Sequence, residues 1–156
     1  MYSIIELTTY VYRAILQHLV DFEERKNEIV NDIYCEPSVL RDDFNIFLDN
    51  YLKKLEELIK TSQIIDRPTR EKLKSLNYLP YVIIGSTVEL ESNNEHGVYY
   101  YRIVSPYDDS KSNKDLSYIS TLGRALMLKR PGDIVENEIN KDVCSSYHVK
   151  SIRYEG

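Results

Sequence analysis

Apolar residues recur at alternating steps of four and three through the first part of the chain. Thr8, Tyr12, Ile15, Leu19, Phe22, Lys26, Ile29 and Ile33 form one series, and six of its eight members are apolar. Phe44, Leu48, Tyr51, Leu55, Leu58, Ser62 and Ile65 form a second, with six of seven apolar. This spacing is the seam of a coiled-coil helix. Charged residues fall on the outer faces: Glu23, Glu24, Arg25 and Glu28 on the first helix, Lys53, Lys54, Glu56, Glu57 and Lys60 on the second. Between the two seams stands Cys35-Glu36-Pro37-Ser38. Pro37 cannot continue a helix, and Ser38 suits the cap of the next. Two seams joined by so short a turn pack antiparallel, which predicts an α-helical hairpin over residues 1–66. At ~1.5 Å per residue, the roughly 27 residues from Thr8 to Tyr34 span about 40 Å, so the hairpin is expected to protrude. Lys26 interrupts the first seam and reads as a stem lying along it with the ammonium in water.

From Tyr81 the period changes to two. Tyr81–Ile84, Thr87–Glu91, Val98–Val104, Leu116–Ile119, Asp133–Ile139 and Tyr147–Tyr154 read as strands, and Leu122–Leu128 as two helical turns. Asn93–Gly97 is turn chemistry, and residues 106–113 read as a polar loop. Residues 81–156 are therefore expected to form a sheet domain with one short helix, and the whole chain is α+β. The stretch 67–80, bounded by Pro68 and Pro80, reads as a connector.

Charge narrows the function classes. Among the 156 residues, Lys+Arg number 20 and Asp+Glu 25, a net −5. Residues 1–66 carry a net −6, residues 67–80 a net +3 and residues 81–156 a net −2. Duplex nucleic-acid binding by bulk charge is disfavoured. Cys35 and Cys144 stand in unlike contexts, and His18, His96 and His148 lack ligand spacing, so neither a disulfide framework nor a metal knuckle is indicated. No apolar run reaches the ~18 residues of a membrane span and no secretory leader is recognisable, so a cytoplasmic protein without membrane association is expected. Trp is absent and Tyr numbers 14, so tyrosine supplies most aromatic packing. The run Tyr99-Tyr100-Tyr101 suggests a base-stacking platform, but alternate packing on a strand accounts for it better in an acidic domain.

Several stretches of the C-terminal part carry a family resemblance. Ile84-Gly85-Ser86-Thr87-Val88-Glu89-Leu90, Tyr101-Arg102-Ile103-Val104, Ile119 through Leu126, and Lys129-Arg130-Pro131-Gly132-Asp133 through Glu136 resemble, in order and spacing, the C-terminal domain of the GreA/GreB transcription elongation factors. A helical hairpin ahead of that domain is also the layout of the family. The resemblance implies an FKBP-like C-terminal domain that docks on bacterial RNA polymerase, and a coiled coil that enters the secondary channel. There the family's tip carboxylates help hold a Mg²⁺ shared with the polymerase active site and orient water for cleavage of RNA at the backtracked nascent 3′ end. It implies no intrinsic cofactor and no independent enzyme, because the bond breaks in the polymerase's own site. By the same resemblance, Ser120, Thr121, Leu122, Gly123 and Arg124 face the coiled-coil rim of the polymerase at the channel mouth. Thr121 replaces the family's usual proline.

The tip departs from the family. Its glycine-aspartate-leucine-x-glutamate-asparagine-alanine-glutamate-tyrosine string is missing, and the two acids would fall near Asn31 and Tyr34. The nearest carboxylates are Asp32 and Glu36 before the turn's end, and Asp42 and Asp43 after it. Mg²⁺-assisted phosphodiester cleavage needs hard oxygen ligands, so one of these pairs is the candidate replacement. The plainer account is acids that favour a helix start and a solvated tip. Three functions stay open at this point: a Gre factor that either promotes cleavage or only blocks or reshapes the channel, an FKBP-like prolyl isomerase, and a hairpin that binds some other protein. An isomerase needs an apolar, aromatic-lined pocket for the proline ring.

Overall fold

Residues 4–93, 97–106, 114–140 and 143–155 are described by a computed structural model, with the backbone alone for 137–140 and 143–145. The centre of the turn expected over Asn93–Gly97 and most of the loop expected over 106–113 lie outside these residues. The chain divides into two compact units, Met1–Arg70 and Glu71–Gly156.

The first unit is built from strand β1 (Ile5–Thr8), helix α1 (Thr9–Ile33), helix α2 (Val39–Thr61) and strand β2 (Ser62–Ile65). Thr8 caps α1 by accepting from the Val11 N–H, and Ser38 caps α2 by accepting from the Arg41 N–H at 3.0 Å. The cap at Ser38 follows the sequence reading. Contacts between the helices descend on one as they rise on the other, as antiparallel packing requires: His18 meets Tyr51, Lys26 pairs with Asp49, and Asn31 meets Arg41. Phe44, Leu48, Tyr51, Leu55 and Leu58 of α2 are buried, the first five members of the second seam. On α1 the buried residues are Val11, Ile15, Leu19, Phe22, Ile29 and Val30. Tyr12 and Ile33, which the heptad spacing placed in the seam, are only half-buried. A helix of 3.6 residues per turn drifts against a 3.5-residue repeat, and towards its start that drift carries the buried stripe from Tyr12 to Val11. The stem of Lys26 follows the seam as expected, and its ammonium meets Asp49 of the other helix.

Two strands were hidden in the helical reading. β1 and β2 pair in parallel, Ile5 opposite Ser62 and Thr8 opposite Ile65, with Leu7 fully buried. Thr8, Ser62 and Ile65 therefore lie outside the helices. His18 sits midway along the pair of helices. Its Nε2 lies 2.8 Å from the Tyr51 hydroxyl, and its ring centroid is 4.9 Å from that of Phe22. Burial of the ring lowers its pKa from 6.5 to about 4, against the opposing pull of the Asp21 carboxylate.

The second unit contains helix α3 (Arg70–Leu73, which begins at the boundary), strands β3 (Ser86–Ser92), β4 (Val98–Val104) and β5 (Asp115–Ser117), helix α4 (Thr121–Leu126), and strands β6 (Ile134–Asn140) and β7 (Val143–Tyr154). Among the described residues these strands form one sheet in the order β5-β4-β3-β7-β6, antiparallel except where β5 runs parallel to β4. Ser86, Val88, Leu90 and Ser92 of β3 are buried, and the residues between them are half-buried. That is the period of a strand with one covered face. Tyr101 is half-buried while Tyr99 and Tyr100 are exposed; Tyr100 donates to Glu89 and Tyr99 packs edge-on against Tyr147. Tyr99 and Tyr101 stand opposite the buried Leu90 and Val88 and so share the sheet's covered face, while Tyr100, opposite Glu89, lies on the other.

Two expectations need correction. Tyr81–Ile84 is not a strand but an irregular buried segment, held by Val82 N–H to the Lys129 carbonyl and Leu128 N–H to the Val82 carbonyl, both 2.9 Å. Four successive buried residues do not fit the alternation of a one-sided strand. The expected connector 67–80 is also more than a link. Leu76 and Leu79 are buried, and Leu79 N–H donates to the Ile152 carbonyl at 2.9 Å, so the end of that stretch lies along β7. No helix among the described residues is long and apolar enough to cross a membrane.

Candidate functional site

The closed end of the antiparallel helices carries the four predicted acids. Asp32 lies in the last turn of α1, Glu36 in the turn 34–38, and Asp42 and Asp43 near the start of α2; all four are exposed. Because α1 stops at Ile33, Asp32 and Glu36 do not share a helical face. Asp42 stands in the first turn of α2, where a negative charge favours the helix dipole. The fold brings the four carboxylates to one end without converging them. Among the described residues, no three His, Cys, Asp or Glu side chains are grouped to hold a metal ion. This donor set does not by itself fit the shared Mg²⁺ of the resemblance, since a hard cation takes six or more oxygens and here the rest must come from elsewhere.

Asn31 and Tyr34, where the resemblance would put the tip acids, are both tied to one cation. The Arg41 guanidinium donates from Nη2 to Asn31 Oδ1 at 2.5 Å and from Nη1 to the Tyr34 carbonyl at 2.6 Å. Sequence reasoning missed Arg41. Its signal was a basic residue in the first turn of a helix, against the dipole.

The second predicted surface is the junction between β5 and α4. Ser120 caps α4: its Oγ accepts from the Gly123 N–H at 3.1 Å and donates to the Ser117 carbonyl at 2.6 Å. Gly123 is buried, and a Cβ there would lie 1.9 Å from the Ser117 carbonyl oxygen. Only glycine lets the helix approach the strand end so closely. Thr121 and Arg124 are exposed, Leu122 is half-buried and Leu126 is fully buried. The segment is therefore a rigid corner that presents Thr121 and Arg124 to solvent.

A cavity of about 370 Å³ lies on the sheet, lined by Thr87, Tyr100, Arg102, Lys114, Asp115 and Glu155. Its walls are charged, with one aromatic ring, which is the wrong lining for a proline ring.

Residues 80–154 match the family model described as transcription elongation factor, GreA/GreB, C-term. Over 162 aligned positions the chain is 25% identical to transcription elongation factor GreA of Desulfovibrio desulfuricans, covering 97% of the chain and 95% of that protein. The C-terminal part of the chain, residues 80–154, is a GreA/GreB-family domain. The chain is 34% identical over 92 residues to GreA of Thermomicrobium roseum, an alignment that covers 59% of the chain and only about half, 54%, of that relative. The solved GreA/GreB factor of Nitrosomonas europaea superposes with a TM-score of 0.50 at 17% identity over 98% of the chain and 100% of that structure, a likeness of fold.

Proposed function

We infer that this chain works in the cytoplasm as a transcription elongation factor that docks on bacterial RNA polymerase through an FKBP-like C-terminal domain. Ser120–Arg124 contacts the rim at the channel mouth, and the antiparallel helices enter the secondary channel as a coiled coil, bringing their closed end near the nascent RNA 3′ end. The chain modulates elongation by occupying the channel and does not supply the carboxylates for cleavage. One observation carries this choice: Arg41 fastens Asn31 and Tyr34, putting a guanidinium where a cleavage factor needs acids. A cation at that place repels Mg²⁺, and the surrounding acids do not converge.

The test uses a backtracked elongation complex with end-labelled RNA, Mg²⁺ and the purified full chain. The expected result is no shortened transcript, together with suppression of the cleavage that an authentic cleavage-competent Gre factor stimulates on the same complex. Shortened transcripts that disappear when Asp32, Glu36, Asp42 and Asp43 are all changed to Ala would make it a cleavage factor with relocated acids. A chain that shows neither cleavage nor competition would remove polymerase from the account.

A further inference from the structure

The turn 34–38 has no glycine, yet it is held at several points. Tyr34 N–H closes α1 on the Val30 carbonyl at 2.8 Å, and the Tyr34 ring packs against Phe44 with centroids 5.4 Å apart. Ser38 opens α2, accepting from Arg41 N–H through its hydroxyl and from Asp42 N–H through its carbonyl at 3.1 Å. The Arg41 side chain then reaches back across the turn to the Tyr34 carbonyl and the Asn31 amide oxygen. Two N–H groups of one rigid plane thereby fasten the end of α1, by backbone and by side chain, to the start of α2. A guanidinium holds two acceptors at fixed separation, whereas an ammonium is a point donor. Helix stability does not ask for a cation in that first turn, because the dipole opposes it. The two bonds across the turn give arginine a role there that the helix itself does not.

We propose that Arg41 is the positioning residue of the apex, holding the turn in one conformation so that Asp32, Glu36, Asp42 and Asp43 meet their partner in a fixed arrangement. The inference rests on the polymerase reading for its functional consequence. The rim-docking segment belongs to the other unit, so loosening the apex changes what the bound protein does and leaves its docking intact. That separation distinguishes a positioning residue from one whose loss unfolds the chain.

The experiment compares the wild-type chain with Arg41→Ala and Arg41→Lys on purified elongation complexes, reading the maximal effect at saturation and the concentration giving half of it. Arg41→Ala is expected to lower the maximal effect about three-fold or more while the half-maximal concentration stays within about two-fold. Arg41→Lys is expected to behave like the alanine variant, since charge without the fork does not bridge both acceptors. On the free chains, the hydrogen-bonded amides of Tyr34 and Asp42 are expected to exchange about ten-fold faster in Arg41→Ala, with the amides of α4 unchanged. A full maximal effect in Arg41→Ala, its recovery in Arg41→Lys, or unchanged exchange at Tyr34 and Asp42 would each overturn the proposal. A wild-type chain without effect on the complexes would instead overturn the polymerase reading, and the exchange contrast would then decide the role of Arg41 in the turn.

Discussion

Acidification should weaken the helical unit through one residue, His18. Its imidazole has a pKa of about 4 in the folded chain against 6.5 ordinarily, because burial beside Phe22 and Tyr51 disfavours the charged ring and Asp21 offsets only part of that. The unfolded chain therefore binds this proton more readily than the folded one between those two values. Stability rises with pH across that window, is essentially all present well above 6.5, and is lost as pH falls through about 4, levelling off below it. Linkage between the two pKa values gives a loss of about 2 kcal/mol at pH 5 and about 3 kcal/mol at pH 4, both upper figures because the ring is partly open to solvent. Carboxylates titrate in the same range, so a reference variant is needed. His18→Gln keeps a side chain that hydrogen-bonds to the Tyr51 hydroxyl but does not titrate. Urea unfolding followed by helical circular dichroism, at pH 7 and pH 5, should show the wild type losing about 2 kcal/mol relative to His18→Gln. A wild-type-to-variant difference that stays constant between pH 7 and pH 5 would refute the reasoning and mean that the ring stays as hydrated in the fold as in the open chain.

Two further predictions concern packing. Gly123→Ala puts a Cβ 1.9 Å from the Ser117 carbonyl oxygen, a backbone atom that has no rotamer to escape into. It should cost the second unit about 2 kcal/mol or more, read as a lower urea midpoint, and polymerase pull-down should weaken with it. Leu48→Ala removes a fully buried side chain between the helices and should lower stability by about 2–5 kcal/mol in a thermal melt, leaving α4 amide protection unchanged.

The legible parts of the fold were those governed by near neighbours. α2 shows this well: five seam residues named from spacing are the five buried ones, and Ser38 caps the helix. The heptad spacing was less faithful on α1, where Val11 took the place of Tyr12. Strands β3 and β4 followed their alternation and composition, but Tyr81–Ile84 has a strand's composition without its pairing. At the apex, position along the chain was enough to place the four acids near the turn. That they do not converge, and that Arg41 bridges the turn, was invisible to a reading along the chain.

The sequence by itself determined two amphipathic helices, the turn at Pro37, a strand-rich second half, and a Ser120–Leu126 segment similar enough to the GreA/GreB pattern to name the family. Each depends on periodicity, capping or a short string, interactions that span a few residues. Tertiary structure decided the parallel pairing of Ile5–Thr8 with Ser62–Ile65, the anchoring of Leu76 and Leu79 beside β7, and the Arg41 bridge. It also decided the neutral His18 between the helices. These depend on groups brought together by the folded backbone, where a hydrogen bond or a desolvated ring is set by what lies across the gap, and no local pattern records what that will be.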